Sequence, residues 1–241
     1  MAVAPSPGHS IRGVGNTLLG VLHPTEDFAD EHPDVAVTRA AYDDVADLYT
    51  ELFRDHLAGA VLDRAMLGAF VESVARNGSG PIADLGCGPG RLTGHLASSG
   101  ARVFGIDLSP RMVELARAEH PQLLFAQGSV ERLPIGDEAL GGVVAWYSLI
   151  HLPPDRIPHV LSEFHRVLAN KGHVLLAFQT ADHPDAVEAF DHKVTRAYRW
   201  APKRLARLLG DAGFTMVARM VREPDPEERF GQAYLLASKV R

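Results

Sequence analysis

The stretch Asp84-Leu85-Gly86-Cys87-Gly88-Pro89-Gly90 puts three glycines into five residues, directly behind a short apolar run from Ile82 to Leu85. Glycine there lets the backbone turn sharply and pass close to a bound molecule. In open α/β sheets, ligands lie beyond the carboxyl ends of strands, where such a loop sits. A dinucleotide fingerprint requires Gly-x-Gly-x-x-Gly at the phosphate end of a helix. Here the third glycine, Gly90, comes one residue early and Arg91 holds the expected position. Asp84 stands two residues before the first glycine, where a carboxylate would repel a pyrophosphate and suit a cationic ligand. Cys87, within the loop, reads as a small packed residue, since no histidine lies near it in sequence to activate a thiolate.

These residues need a frame. After Pro81 the chain alternates strand and helix, with predicted strands at Ile82 to Leu85, Arg102 to Ile106, Leu123 to Ala126, Gly142 to Tyr147 and His173 to Phe178. Ser109-Pro110 reads as an N-cap with proline at the first helical position. Ile157, Val160, Leu161, Phe164 and Leu168 form an apolar helical stripe that stops at Gly172. Pro202 opens a helix closed by Gly213. Alternation of this kind means a parallel sheet with helices on both faces. The last two predicted strands, Phe214 to Val221 and Tyr234 to Ser238, have no crossover between them and should pair antiparallel. Ahead of the sheet, Tyr42, Val45, Ala46 and Tyr49 follow helical spacing from Thr38 onward. Residues 1–37, broken by prolines and glycines, read as an irregular extension. Its Gly13-Val14-Gly15 follows no apolar strand, so it reads as a flexible arm rather than a phosphate loop.

Composition narrows the function classes. The 241 residues carry 24 basic and 30 acidic side chains, a net charge of −6, and 46% of them are apolar. That balance is globular and offers no excess positive charge for phosphate backbones, so no nucleic-acid partner is expected. No apolar run is long enough to span a bilayer, so no membrane partner is expected either. With one cysteine, no internal disulfide can form, and a cytoplasmic location is expected.

Asp84 followed by Gly86-Cys87-Gly88-Pro89-Gly90 resembles the first motif of the class I S-adenosylmethionine-dependent methyltransferases, an acidic residue followed by Gly-x-Gly-x-Gly. The resemblance extends over most of residues 38–241. Phe104 to Ser109 is similar to that family's second strand, whose terminal acidic residue, here Asp107, holds the ribose hydroxyls. A carboxylate can accept both hydrogen bonds of such a diol. Capping a helix is the alternative for Asp107, but Ser109 already fills that role. Leu108 and Met112 would flank the adenine, although Met112 at helical spacing is equally ordinary core. Gln127 to Pro134 is similar to the loop after the third strand. Many relatives carry Asp where this chain has Ser129, so the adenine contact falls to the Ser129 hydroxyl and the Val130 backbone N–H. Trp146 to Leu152 resembles the segment after the fourth strand, where cofactor and acceptor meet. The resemblance implies a single Rossmann-like methyltransferase domain with a seven-stranded, mostly parallel sheet and an antiparallel last strand. It also implies S-adenosyl-L-methionine as cofactor and a small-molecule acceptor methylated at O, N or C, by a monomer or homodimer.

Methyl transfer needs nucleophile, carbon and sulfur in line, and sometimes removal of a proton. His151, just past the fourth strand, is the first candidate base because histidine titrates near neutrality. Tyr147 is the second catalytic candidate. Packing is the alternative for both. Tyr42 and Tyr49 sit on the leading helix, which by resemblance covers the cofactor, and either phenol could touch the methionine moiety or merely form an aromatic seal. The segment 181–200 exceeds what a strand-to-helix link needs and reads as a solvated lid that sets acceptor choice. Within it, Glu188 and His192 are four apart and could share a helix face as metal ligands, but no further ligand spacing matches a known site, so no metal is expected. Two other functions compete. A nicotinamide-dependent oxidoreductase is opposed by the early third glycine and the missing Tyr-x-x-x-Lys pair. A cofactor-binding but inactive methyltransferase-like protein would keep the same motifs without turnover.

Overall fold

The computed structural model describes residue 21 and residues 32–240 apart from 55 and 79. Helix α1 spans Pro33–Phe53, followed by the short α2 (His56–Gly59) and by α3 (Val61–Arg76). Strand and helix then alternate: β1 (Ile82–Leu85), α4 (Arg91–Ser98), β2 (Val103–Asp107), α5 (Pro110–Glu119), β3 (Leu124–Gln127) and β4 (Leu140–Trp146). A 3₁₀ turn at Leu149–His151 leads to α6 (Ile157–Val167), β5 (Leu168–Gln179), a hairpin of β6 (Val187–Asp191) and β7 (Arg196–Trp200), then α7 (Pro202–Asp211), β8 (Phe214–Arg222) and β9 (Gln232–Lys239).

Seven strands form one sheet in the order β3-β2-β1-β4-β5-β9-β8. The first five pair in parallel. β9, last in the chain, inserts between β5 and β8 and runs antiparallel to both. The short link between β8 and β9 dictates this, because a parallel return needs a crossover of a dozen or more residues. The strand order reverses between β1 and β4, and the cleft beyond their carboxyl ends is the ligand position of this architecture.

The apolar runs account for the packing. One side of the sheet buries Ile157, Val160, Leu161 and Phe164 of α6 and Leu205 and Leu209 of α7. Each such side chain contributes about 1.5–3 kcal/mol on burial. The other side buries Met66, Leu67, Phe70 and Val74 of α3 with Leu92 and Leu96 of α4. The Ser109 hydroxyl accepts from the Met112 backbone N–H at 3.0 Å, so the expected N-cap of α5 is present. No helix among the described residues is long and apolar enough to cross a membrane.

Three local expectations need correction. Helix α1 starts at Pro33, so residues 33–37 are its first turn, not irregular chain; proline suits the first helical position because its missing N–H would be unbonded there anyway. The readings made for residues 1–31, including the Gly13-Val14-Gly15 arm, lie outside the described residues apart from Val21. Strand β5 begins at Leu168, well before His173, with Lys171 at φ 64°. The lid segment is a β-hairpin, so Glu188 lies on a strand and no helix joins it to His192.

Candidate active site

The glycine loop turns directly off β1. The Gly86 and Cys87 N–H groups both donate to the Ile106 carbonyl, at 2.8 and 3.1 Å, and Gly90 N–H donates back to Cys87 at 3.1 Å. All three glycines have positive φ, the region that favours glycine. Their surroundings differ. A Cβ on Gly86 would lie 2.3 Å from the Ser148 Cβ, and one on Gly90 would lie 2.9 Å from the Phe125 ring. Those two glycines let the loop pack against its neighbours. A Cβ on Gly88 would meet no described atom within 4 Å, because Gly88 faces a cavity.

Asp107, at the end of β2, lines the same cavity. Gly88 N–H donates to its Oδ2 at 2.7 Å and Ser109 N–H to its Oδ1 at 2.9 Å. One donor on each oxygen fixes the plane of the carboxylate and leaves lone pairs for a ligand. Burial lifts its pKa to about 6 against the pull of those two N–H groups. Asp84 is placed differently. It is 1% exposed, does not line the cavity, and accepts the Thr93 hydroxyl of α4 at 2.6 Å. Burial raises it further, to about 7. It ties the strand end to the helix that follows. Cys87 is also buried away from the cavity, its thiol pushed up by burial. Arg91, where a dinucleotide loop would have glycine, reaches back to the Phe53 carbonyl of α1.

Helix α1 roofs the cavity and is held by polar contacts along its length. Asp43 accepts the Ser109 hydroxyl, Asp47 pairs with Arg111 at 2.8 Å, and Asp34 pairs with Arg156. The Asp34–Arg156 pairing spans 122 positions, and Arg156 also binds Glu131 at 3.0 Å. Asp34, Arg39, Glu131 and Arg156 all line the cavity, and no local spacing in the sequence signals them.

The remaining walls hold the other expected residues: Tyr42, Tyr49, Leu108, Met112, Ser129, Val130, Trp146, Tyr147 and His151, together with Gly86. Ser129 Oγ accepts the Glu131 N–H at 3.3 Å and keeps its own proton to donate. Tyr42 packs edge-on against both Tyr49 and His151. The Tyr42 hydroxyl and His151 Nε2 are 2.6 Å apart, and His151 Nδ1 lies 3.1 Å from the Arg196 carbonyl. Burial, with the neighbouring His192, lowers the His151 pKa to about 4, so the ring is neutral at pH 7. Burial, then Tyr49 and Asp107, raises the Tyr42 phenol. Tyr147 has φ 57°, unusual outside glycine. Its hydroxyl meets that of Tyr234 at 3.3 Å, and Tyr234 donates to the buried Asp63. Trp146 Nε1 is buried with no hydrogen-bond partner among the described residues.

The chain is similar to known proteins. Residues 82–172 match the family described as methyltransferase domain. An uncharacterized methyltransferase of Synechocystis is 31% identical over 157 residues, which are 62% of this chain and 73% of that protein. The demethylmenaquinone methyltransferase of Chlorobaculum parvum is 30% identical over 56% of each chain, so this chain spans little more than half of that relative. Among solved structures, the 1,6-didemethyltoxoflavin-N1-methyltransferase of Burkholderia thailandensis, with its substrate and S-adenosylhomocysteine bound, superposes with a TM-score of 0.68 at 24% identity, covering 92% of this chain and 95% of that one. Magnesium protoporphyrin IX methyltransferase of Synechocystis with bound S-adenosylmethionine gives a TM-score of 0.66 at 20% identity, covering 87% and 99%. At those identities the two structures speak for the fold.

Proposed function

Because the chain belongs to the class I S-adenosylmethionine-dependent methyltransferases, we propose that the cavity under α1 is where its cofactor and its acceptor meet. The enzyme transfers a methyl group from S-adenosyl-L-methionine to a small-molecule acceptor. In this reading Asp107 accepts the two ribose hydroxyls. Leu108 and Met112 flank the adenine, and Ser129 and Val130 meet its edge. Tyr42 and Tyr49 cover the methionine end, where aromatic faces attract a sulfonium cation. Asp84 supports the loop through Thr93 and makes no contact with the ligand. The observation that carries the reading is Asp107 beside Gly88: a carboxylate oriented by two backbone N–H groups, next to the one loop glycine whose missing side chain leaves open space. The buried Trp146 N–H on the wall, without a partner among the described residues, is a further donor for a polar guest.

When bound, S-adenosylmethionine supplies an electrophilic methyl carbon. The chain's own residues do the rest. The aromatic walls exclude water, which strengthens every polar contact inside. His151, neutral at working pH, takes the proton that the acceptor's nucleophile gives up, and Tyr147 borders the reacting space. The walls Val35, Tyr147, His151 and Leu152 border the acceptor, and relatives named as demethylmenaquinone and N-demethylindolmycin methyltransferases support a small molecule there. The net charge of −6 and the single cysteine support a cytoplasmic enzyme with no nucleic-acid partner.

Calorimetric titration with S-adenosylhomocysteine tests the cofactor half. The wild type should bind. Gly88→Val should lose binding while still melting cooperatively, because its side chain enters the ligand's space. Gly88→Ala carries the same left-handed strain, roughly 1–2 kcal/mol, with a single added carbon, and should retain measurable affinity. Unchanged affinity in Gly88→Val would contradict the assignment.

A further inference from the structure

The hairpin β6–β7 is far from the glycine loop in sequence, yet it is built firmly against the 3₁₀ turn that carries His151. Trp200 and Ala197 are buried in the main core. Arg199 binds Asp182 at 2.9 Å and Glu188 at 2.5 Å, and stacks over Phe230. Arg229 donates to the Asp191 carbonyl at 2.9 Å, anchoring the tip. Two groups of this hairpin reach His151. The Arg196 carbonyl lies 3.1 Å from Nδ1. The His192 ring stands edge-to-face at 5.0 Å between centroids, with its own Nδ1 buried and without a hydrogen-bond partner among the described residues.

A carbonyl oxygen carries no proton, so the contact with Arg196 is a hydrogen bond only if His151 Nδ1–H donates it. In a neutral imidazole the other nitrogen is then bare, and the Tyr42 hydroxyl donates to it. We propose that the hairpin is the element that sets the protonation of the reacting site: the Arg196 carbonyl and the His192 ring hold His151 as the Nδ1–H tautomer, with a bare Nε2 directed to Tyr42 and the cavity. This rests on the reading of His151 as the proton acceptor. The proton leaving the acceptor's O–H or N–H passes to the Tyr42 oxygen as the Tyr42 proton passes to Nε2, leaving a neutral phenol and an imidazolium whose Nδ1–H stays on Arg196. His192 and Arg196 are thus positioning residues. His192 shuts water away from His151, which keeps the ring uncharged before reaction.

Among the described residues, the titratable groups that face His151 come from two elements. Tyr42 faces it from α1, and His192 and the Arg196 main chain face it from the hairpin. Asp107 lies behind Tyr42, while Asp191, Lys193 and Arg229 surround His192. The test is a nitrogen NMR titration of the full chain labelled with 15N-histidine, the His151 signal being assigned by its loss in His151→Asn. It is recorded without ligand, so its outcome is independent of whether S-adenosylhomocysteine binds. The wild type should show a proton on His151 Nδ1, none on Nε2, and titration near 4. Opening the contact in His192→Ala should move that titration toward the ordinary histidine value of about 6.5, by at least about one pH unit, a tenfold change in proton affinity. His192→Phe keeps the ring's cover but removes its electrostatic effect, and should rise less than the alanine variant does. A wild-type Nε2–H tautomer, an unmoved His192→Ala titration, or a His192→Phe titration that rises like the alanine variant's would each overturn the proposal.

Discussion

Asp84 and Asp107 are both carboxylates lifted by desolvation, to about 7 and about 6, yet they have different partners. Asp107 looks into the cavity; Asp84 is sealed beneath the loop against Thr93. For Asp84 the folded pKa lies above the unfolded value of about 3.9. The folded state therefore binds more protons than the unfolded state between those values. The associated stability is fully present below about pH 4 and is lost as pH rises through about 7. Asp84→Asn keeps an oxygen for the Thr93 hydroxyl and removes the buried charge. Thermal melts at pH 5 and pH 8 should show the wild type losing stability toward pH 8 and Asp84→Asn losing less; equal losses would contradict the assignment. In the sequence Asp84 stood out by its place before the glycines and Asp107 by the resemblance to the methyltransferase second strand. Sequence reading could not separate their tasks, because which face of β1 is sealed depends on α4 packing over it. Nor could it find Arg156 and Asp34, whose pairing exists only once α1 lies across the cavity.

Among the elements, α1 decides access. It rests on the cavity through Tyr42, Asp43, Asp47 and Asp34, and Ser109 serves two structures at once by capping α5 and binding Asp43. Ser109→Ala should therefore cost more than a cap alone, which is typically about 1 kcal/mol, because Asp43 also loses its partner. Arg111→Ala breaks an exposed, solvent-screened pair and should cost less than Ser109→Ala does. Urea denaturation of the two variants checks the order, and a larger loss in Arg111→Ala would refute it. The cap itself was legible, since Ser109-Pro110 has a local mechanism. The start of α1 was not: Pro33 both opens a helix and, in a sequence rich in proline and glycine, looks like loop. The hairpin was hidden for a related reason. Val187–Asp191 and Arg196–Trp200 are short and rich in charge, and they hold their form through Arg199, Trp200 and the main core rather than through a two-residue turn signal.

For the whole molecule, the alternation of strands and helices was enough to place five parallel strands, and the missing crossover was enough to make β9 antiparallel. The insertion of β9 between β5 and β8 has no sequence signal of its own; it follows from which edge of β5 remains unpaired once β4 occupies the other. That topology puts the reversal of strand order beside Gly88 and Asp107, where the cofactor is expected to bind. The direct measurement is calorimetric titration of S-adenosylhomocysteine into the wild type and Asp107→Ala at pH 8, where Asp107 is ionised, and into the wild type again at pH 5, where it is largely protonated. Losing a charged acceptor of two hydrogen bonds should cost about 1.5–3 kcal/mol, tenfold or more in Kd, and the wild type should weaken toward pH 5 in the same direction. A dissociation constant that is the same for Asp107→Ala and the wild type, and the same at both pH values, would contradict the claim that this carboxylate holds the cofactor.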